Sequence, residues 1–125
     1  MIKKLLLTCA LLVSMSCNVN AKTLIGVPMY KEMGTFKLTA YCPCEECSSG
    51  FGKRTCTGKT AKSNHTIAVD PSVISYGSRV MIGRRMYKAE DCGSGVEGDH
   101  IDIFFDAHTE VDAFGVKYGD VKVFR

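Results

Sequence analysis

Arg79-Val80-Met81-Ile82-Gly83-Arg84-Arg85-Met86-Tyr87-Lys88-Ala89 sets two short β-prone runs on either side of Gly83, the layout of a β-hairpin. Outward from it lie Thr66 to Val69 and Ile101 to Phe105, and beyond these Thr35 to Tyr41 and Asp120 to Phe124. Six short strands at close spacing predict a small barrel. Gly93, Gly95 and Gly98 break the chain between Asp91 and Ile101, as a loop requires. Only Ala107 to Phe114 reads as helical, with Val111 and Phe114 three apart and Gly115 placed to end it. The expected fold is mainly β, six strands with one short helix.

The whole chain has 125 residues, 16 Lys+Arg against 13 Asp+Glu, 46% hydrophobic residues, 12 Gly, 3 Pro and 7 Cys. That composition fits a globular domain, and a net charge of +3 without a basic cluster argues against nucleic acid as a partner. Residues 1–21 have the form of a signal peptide: Lys3 and Lys4, then an apolar run, then a polar end closing on Val19-Asn20-Ala21. The run is too short to span a bilayer. Cleavage after Ala21 would remove Lys3, Lys4, Cys9 and Cys17, leaving 14 basic and 13 acidic side chains and five cysteines. The mature chain is then an exported domain, secreted or at the cell envelope, with no membrane contact after cleavage. Residues 22–34 read as a lead-in and 35–125 as one domain; nothing signals an oligomeric state.

Cys42-Pro43-Cys44-Glu45-Glu46-Cys47, followed by Cys56, packs four thiols into one loop. They suit either disulfides, which an exported chain permits, or a structural zinc, and free thiols are a third state. An odd total leaves one sulfur over if every bridge is internal, and Cys92 stands apart beside Asp91. A catalytic cysteine lacks support, since no local signature links His65, His100 or His108 to a thiol.

Three aspartates end or interrupt apolar strands: Asp70 after Ile67-Ala68-Val69, Asp91 after Ala89-Glu90, and Asp102 within Ile101-Asp102-Ile103-Phe104-Phe105. Asp70 before Pro71 and Asp91 before Gly93 also suit turns and caps. Asp102 shares its strand face with Phe104, opposite Ile101, Ile103 and Phe105. A carboxyl against apolar surface and near other carboxylates gains proton affinity, which a general acid at neutral pH needs. Acid/base work on a glycosidic bond follows as the expected chemistry. Asp91-Cys92-Gly93-Ser94 also suggests the aspartic-protease signature, but that enzyme needs a second copy, and Lys88-Ala89-Glu90 is too polar for the strand leading into it.

From Phe36 onward the chain resembles the three-aspartate (3D) domain of small exported bacterial proteins, similar to the catalytic barrel of membrane-bound lytic murein transglycosylase A. The resemblance rests on Thr39-Ala40-Tyr41-Cys42, Thr57-Gly58-Lys59-Thr60-Ala61, Thr66 to Ile74, Gly77-Ser78-Arg79-Val80, Ala89-Glu90-Asp91, Gly98 with Ile101 to Phe104, and Phe114-Gly115. It implies a six-stranded double-psi β-barrel with Asp70, Asp91 and Asp102 as the namesake aspartates. It further implies a peptidoglycan lytic transglycosylase acting on glycan strands, with Asp102 catalytic and no required cofactor. Asp70 and Asp91 would support it, and Tyr41, Thr57, Thr60 and Lys62 would lie near the substrate. A non-catalytic wall-binding barrel is the alternative use of this architecture. Cys92 and Asp99 depart from the family's pattern in the site loop.

Overall fold

The computed structural model describes Gly26 and residues 29–124. Residues 1–21, read from the sequence as a signal peptide, and most of the first part of the segment read as a lead-in lie outside the described residues. The elements are β1 (Tyr30–Tyr41), α1 (Glu45–Ser48), β2 (Thr66–Ala68), β3 (Arg79–Ile82), β4 (Arg85–Asp91), β5 (His100–Phe104), α2 (His108–Phe114) and β6 (Lys117–Phe124).

The six strands close into a barrel in the order β1-β5-β2-β4-β3-β6, and β6 returns to β1. Two parallel pairs, β1 with β5 and β2 with β4, are joined by antiparallel neighbours. This is the mainly β, double-psi barrel expected. Closure gives each of the six strands a hydrogen-bonded neighbour on both sides. Inside, Phe36, Ile67, Val80, Ile101 and Val121 are fully buried. Each contributes about 1.5–3 kcal/mol by leaving water.

Besides β6, which starts at Lys117 rather than Asp120, two features differ from the sequence reading. β1 starts at Tyr30 rather than Thr35, so the barrel takes in the end of the segment read as a lead-in. The cause is tertiary: Tyr30, Lys31 and Glu32 pair with Phe124, Val123 and Lys122 of β6, and the bulge between Glu32 and Gly34 absorbs the change of register. The second difference is α1, so there are two short helices rather than one. Four residues are too few to show a helical period. The turn is held by the Cys44 sulfur, which accepts from the Cys47 N–H, and by Ser49 with a left-handed φ of 52°.

A second apolar cluster, Tyr41, Ala61, Ala68, Val96 and Phe104, is separate from the barrel interior. Tyr41 meets Phe104 edge-on, ring centroids 5.3 Å apart. Three of its members, Tyr41, Ala68 and Val96, face a groove of about 790 Å³, which contains the site.

Candidate active site

The site is one row of residues running across four adjacent strands. Thr39 of β1 pairs with Asp102 of β5, Asp102 pairs with Ala68 of β2, and Ala68 pairs with Asp91 of β4. The register shift between Ile67 and Ala68 passes over Glu90 and brings Asp91 opposite Ala68. Bulges commonly re-aim side chains beside functional sites. The methyl group of Ala68 between the two carboxylates leaves the groove open above it.

Asp91 is buried and held from three directions. The Tyr41 hydroxyl donates to its Oδ2 at 2.6 Å, and the backbone N–H groups of Cys56 and Cys92 both donate to Oδ1 at 2.9 Å. Both oxygens are thereby fixed. Burial, with Asp91 alongside, keeps the Tyr41 hydroxyl protonated far beyond its ordinary range.

Asp102 is half-buried and its carboxyl has a raised pKa, chiefly through desolvation and secondarily through the charge of Asp91. The hydrogen bond from Thr39 and the neighbouring His100 oppose that rise. These three residues form a chain. His100 Nδ1 lies 2.9 Å from the Gly95 carbonyl, which can only accept, so Nδ1 carries a hydrogen. Thr39 has one hydroxyl hydrogen for two neighbours, His100 Nε2 at 2.8 Å and Asp102 Oδ1 at 2.9 Å. Thr39 thus links His100 to Asp102, and its donation to Asp102 favours the ionised carboxylate.

The other residues singled out from the sequence lie elsewhere. Asp70 ties two loops together: it accepts from the N–H and hydroxyl of Ser72 and from the N–H of Gly98, and these bonds hold its carboxyl below the usual range. Gly98 gives that N–H from a left-handed φ of 65°. Thr57 donates to the Glu90 carbonyl, Thr60 bridges to Arg54, and the Lys62 N–H bonds to Thr66. Asp70, Thr57, Thr60 and Lys62 do not line the groove; Tyr41, Asp91 and Asp102 do. Thr39 and His100 were not singled out. The signal for His100 was the strand period, which sets it on the same face as Asp102.

No disulfide joins the five described cysteines, which lie in two groups. Cys42, Cys44 and Cys47 gather around His108, not around Cys56. The loop after α1 instead takes Cys56 to Asp91 and Cys92. Burial pushes the Cys56 thiol up to about 11, with Cys92 beside it adding to the effect, so it is protonated and a poor nucleophile. The signal for the first group was Cys44-Glu45-Glu46-Cys47, a C-x2-C spacing that runs on from the C-x-C of Cys42-Pro43-Cys44.

Comparison with known proteins agrees with this fold. The sequence profile of the 3D domain matches residues 65–125. Over 93 residues the chain is 37% identical to the cell wall-binding protein YocH of Bacillus subtilis (strain 168), covering 71% of this chain and 31% of that protein. It is also 37% identical over 94 residues to YabE of the same organism, whose name assigns it to cell wall shaping, covering 71% of this chain and 22% of YabE. The chain thus spans less than a third of either relative. In fold it resembles the lytic transglycosylase MltA of E. coli, with a TM-score of 0.51 and 21% identity over 58% of this chain and 27% of that one. MltA with bound chitohexaose gives the same TM-score at 19% identity, again over 58% of this chain and 27% of that one.

Proposed function

Because the chain belongs to the 3D domain family, we propose that it is an exported lytic transglycosylase that cleaves the β-1,4 link from N-acetylmuramic acid to N-acetylglucosamine in peptidoglycan. The observation that carries this reading is Asp102: a half-buried carboxyl of raised proton affinity, in an open groove, with Asp91 one strand beyond Ala68. Protonated Asp102 donates to the glycosidic oxygen as the bond from the muramic C1 breaks. The same carboxylate then takes the proton of that sugar's C6 hydroxyl as O6 bonds to C1, closing a 1,6-anhydro ring. One acid/base suffices because the nucleophile is part of the substrate. Thr39 and His100 stabilise the carboxylate of Asp102 while it is ionised. The negative charge of Asp91 favours return of the proton to Asp102.

The fold shared with MltA and the wall-related names of the two relatives support this substrate class and a site of action at the envelope. Mass spectrometry of digested, purified peptidoglycan tests it. The expected products are anhydromuropeptides from the wild type and none from Asp102→Asn; reducing-end products would mean hydrolysis instead. The name of YocH favours a second reading, a barrel that binds wall glycan without cutting it. In that case wild type and Asp102→Asn would sediment with cell walls alike, and neither would release fragments.

A further inference from the structure

We propose that Cys42, Cys44, Cys47 and His108 form a tetrahedral structural zinc site that fastens the loop after β1 to the start of α2. The sulfurs of the three cysteines lie 3.6, 3.5 and 3.4 Å from one atom, His108 Nδ1. A ring nitrogen has a single hydrogen or a single lone pair, so hydrogen bonding cannot account for three sulfurs at nearly equal distance. A shared cation can. With Zn–S of about 2.3 Å and Zn–N of about 2.0–2.1 Å at the tetrahedral angle, the sulfur-to-nitrogen edge is about 3.6 Å.

Two further contacts fit a metal centre. The other ring nitrogen of His108, Nε2, lies 3.4 Å from the Asp112 carboxylate one turn along α2. A carboxylate on the far nitrogen fixes the tautomer and orientation of a ligating histidine. The Cys47 N–H points at the Cys44 sulfur at 3.4 Å, which steadies charge on that ligand. All four positions are filled by protein, which marks a closed, structural site and not one that activates water. Cys56 and Cys92 are left outside it as a separate pair beside Asp91.

Metal analysis of the purified full chain supplied with zinc is expected to find one equivalent. Cobalt substituted for zinc should give sulfur-to-metal charge-transfer bands and tetrahedral visible bands. Cys44→Ser and His108→Ala should lose the metal, His108→Cys should keep it, and the Cys56→Ser/Cys92→Ser pair should leave the content unchanged. Asp112→Ala should weaken zinc binding about ten- to a hundredfold. If Cys44→Ser fails to fold, chelation of the wild type decides: metal removal should lower its Tm. The proposal is overturned by absence of metal, by metal that follows Cys56 and Cys92, or by a disulfide mapped among Cys42, Cys44 and Cys47. None of these readouts depends on whether the groove cleaves glycan.

Discussion

At the scale of the residue, the carboxyl of Asp102 is governed by opposing neighbours. Burial and Asp91 raise its pKa, whereas Thr39 and His100 lower it. A general acid works in its protonated form, so activity falls as pH rises through the Asp102 pKa. Thr39→Val removes a hydrogen bond that favours the ionised form. The alkaline limb of the pH–rate profile should therefore move to higher pH, and His100→Gln should move it the same way. A limb unmoved in both variants would show that Thr39 and His100 do not set the proton affinity of Asp102. Asp102 was legible in the sequence from its place inside the apolar run Ile101 to Phe105 and Asp91 from its place at a strand's end, whereas Tyr41 entered only through the family resemblance. Thr39 was not legible, and the strand period gave only the face of His100, because their roles arise from the pairing of β1 with β5, and a register between strands distant in sequence leaves no local mark.

At the scale of the element, the strands β3, β4 and β5 were readable to within two residues, since their β-prone runs are bounded by turn formers. The upstream part of β1 and the turn α1 were not, because β6 holds the first and the cysteine loop the second. The site depends on how β2, three residues long, sits between β4 and β5. Its Ala68 is buried, with Asp91 on one side and Asp102 on the other. Ala68→Leu should cost about 1–3 kcal/mol of stability by overpacking. It should also cut glycan cleavage severely while leaving the barrel folded, checked by circular dichroism and denaturant unfolding alongside the muropeptide assay. Phe104→Ala, which empties the floor beneath Tyr41, should cost about 3–5 kcal/mol by the same unfolding measurement.

At the scale of the whole molecule, Asp70 and Asp102 make stability depend on pH in opposite senses. The folded-state pKa of Asp70 is depressed, so its contribution is present above the ordinary carboxylate range and is lost as pH falls through the folded value. That of Asp102 is raised, so the fold binds its proton more tightly than the unfolded chain, and stability declines as pH climbs from the ordinary value through the raised one. Thermal unfolding at neutral pH should accordingly show a higher Tm for Asp102→Asn and a lower one for Asp70→Asn, and both differences should shrink in acid. Equal Tm values at all pH would contradict this assignment. The closed ring has one more consequence. Tyr30 is paired with Phe124, so the two ends of the sheet lie side by side, and β6 bonds to both β1 and β3. Stopping the chain before Lys117 would yield an open sheet with two bare, sticky borders in place of a smaller barrel. Synthesis must deliver β6 before the ring between β1 and β3 can shut.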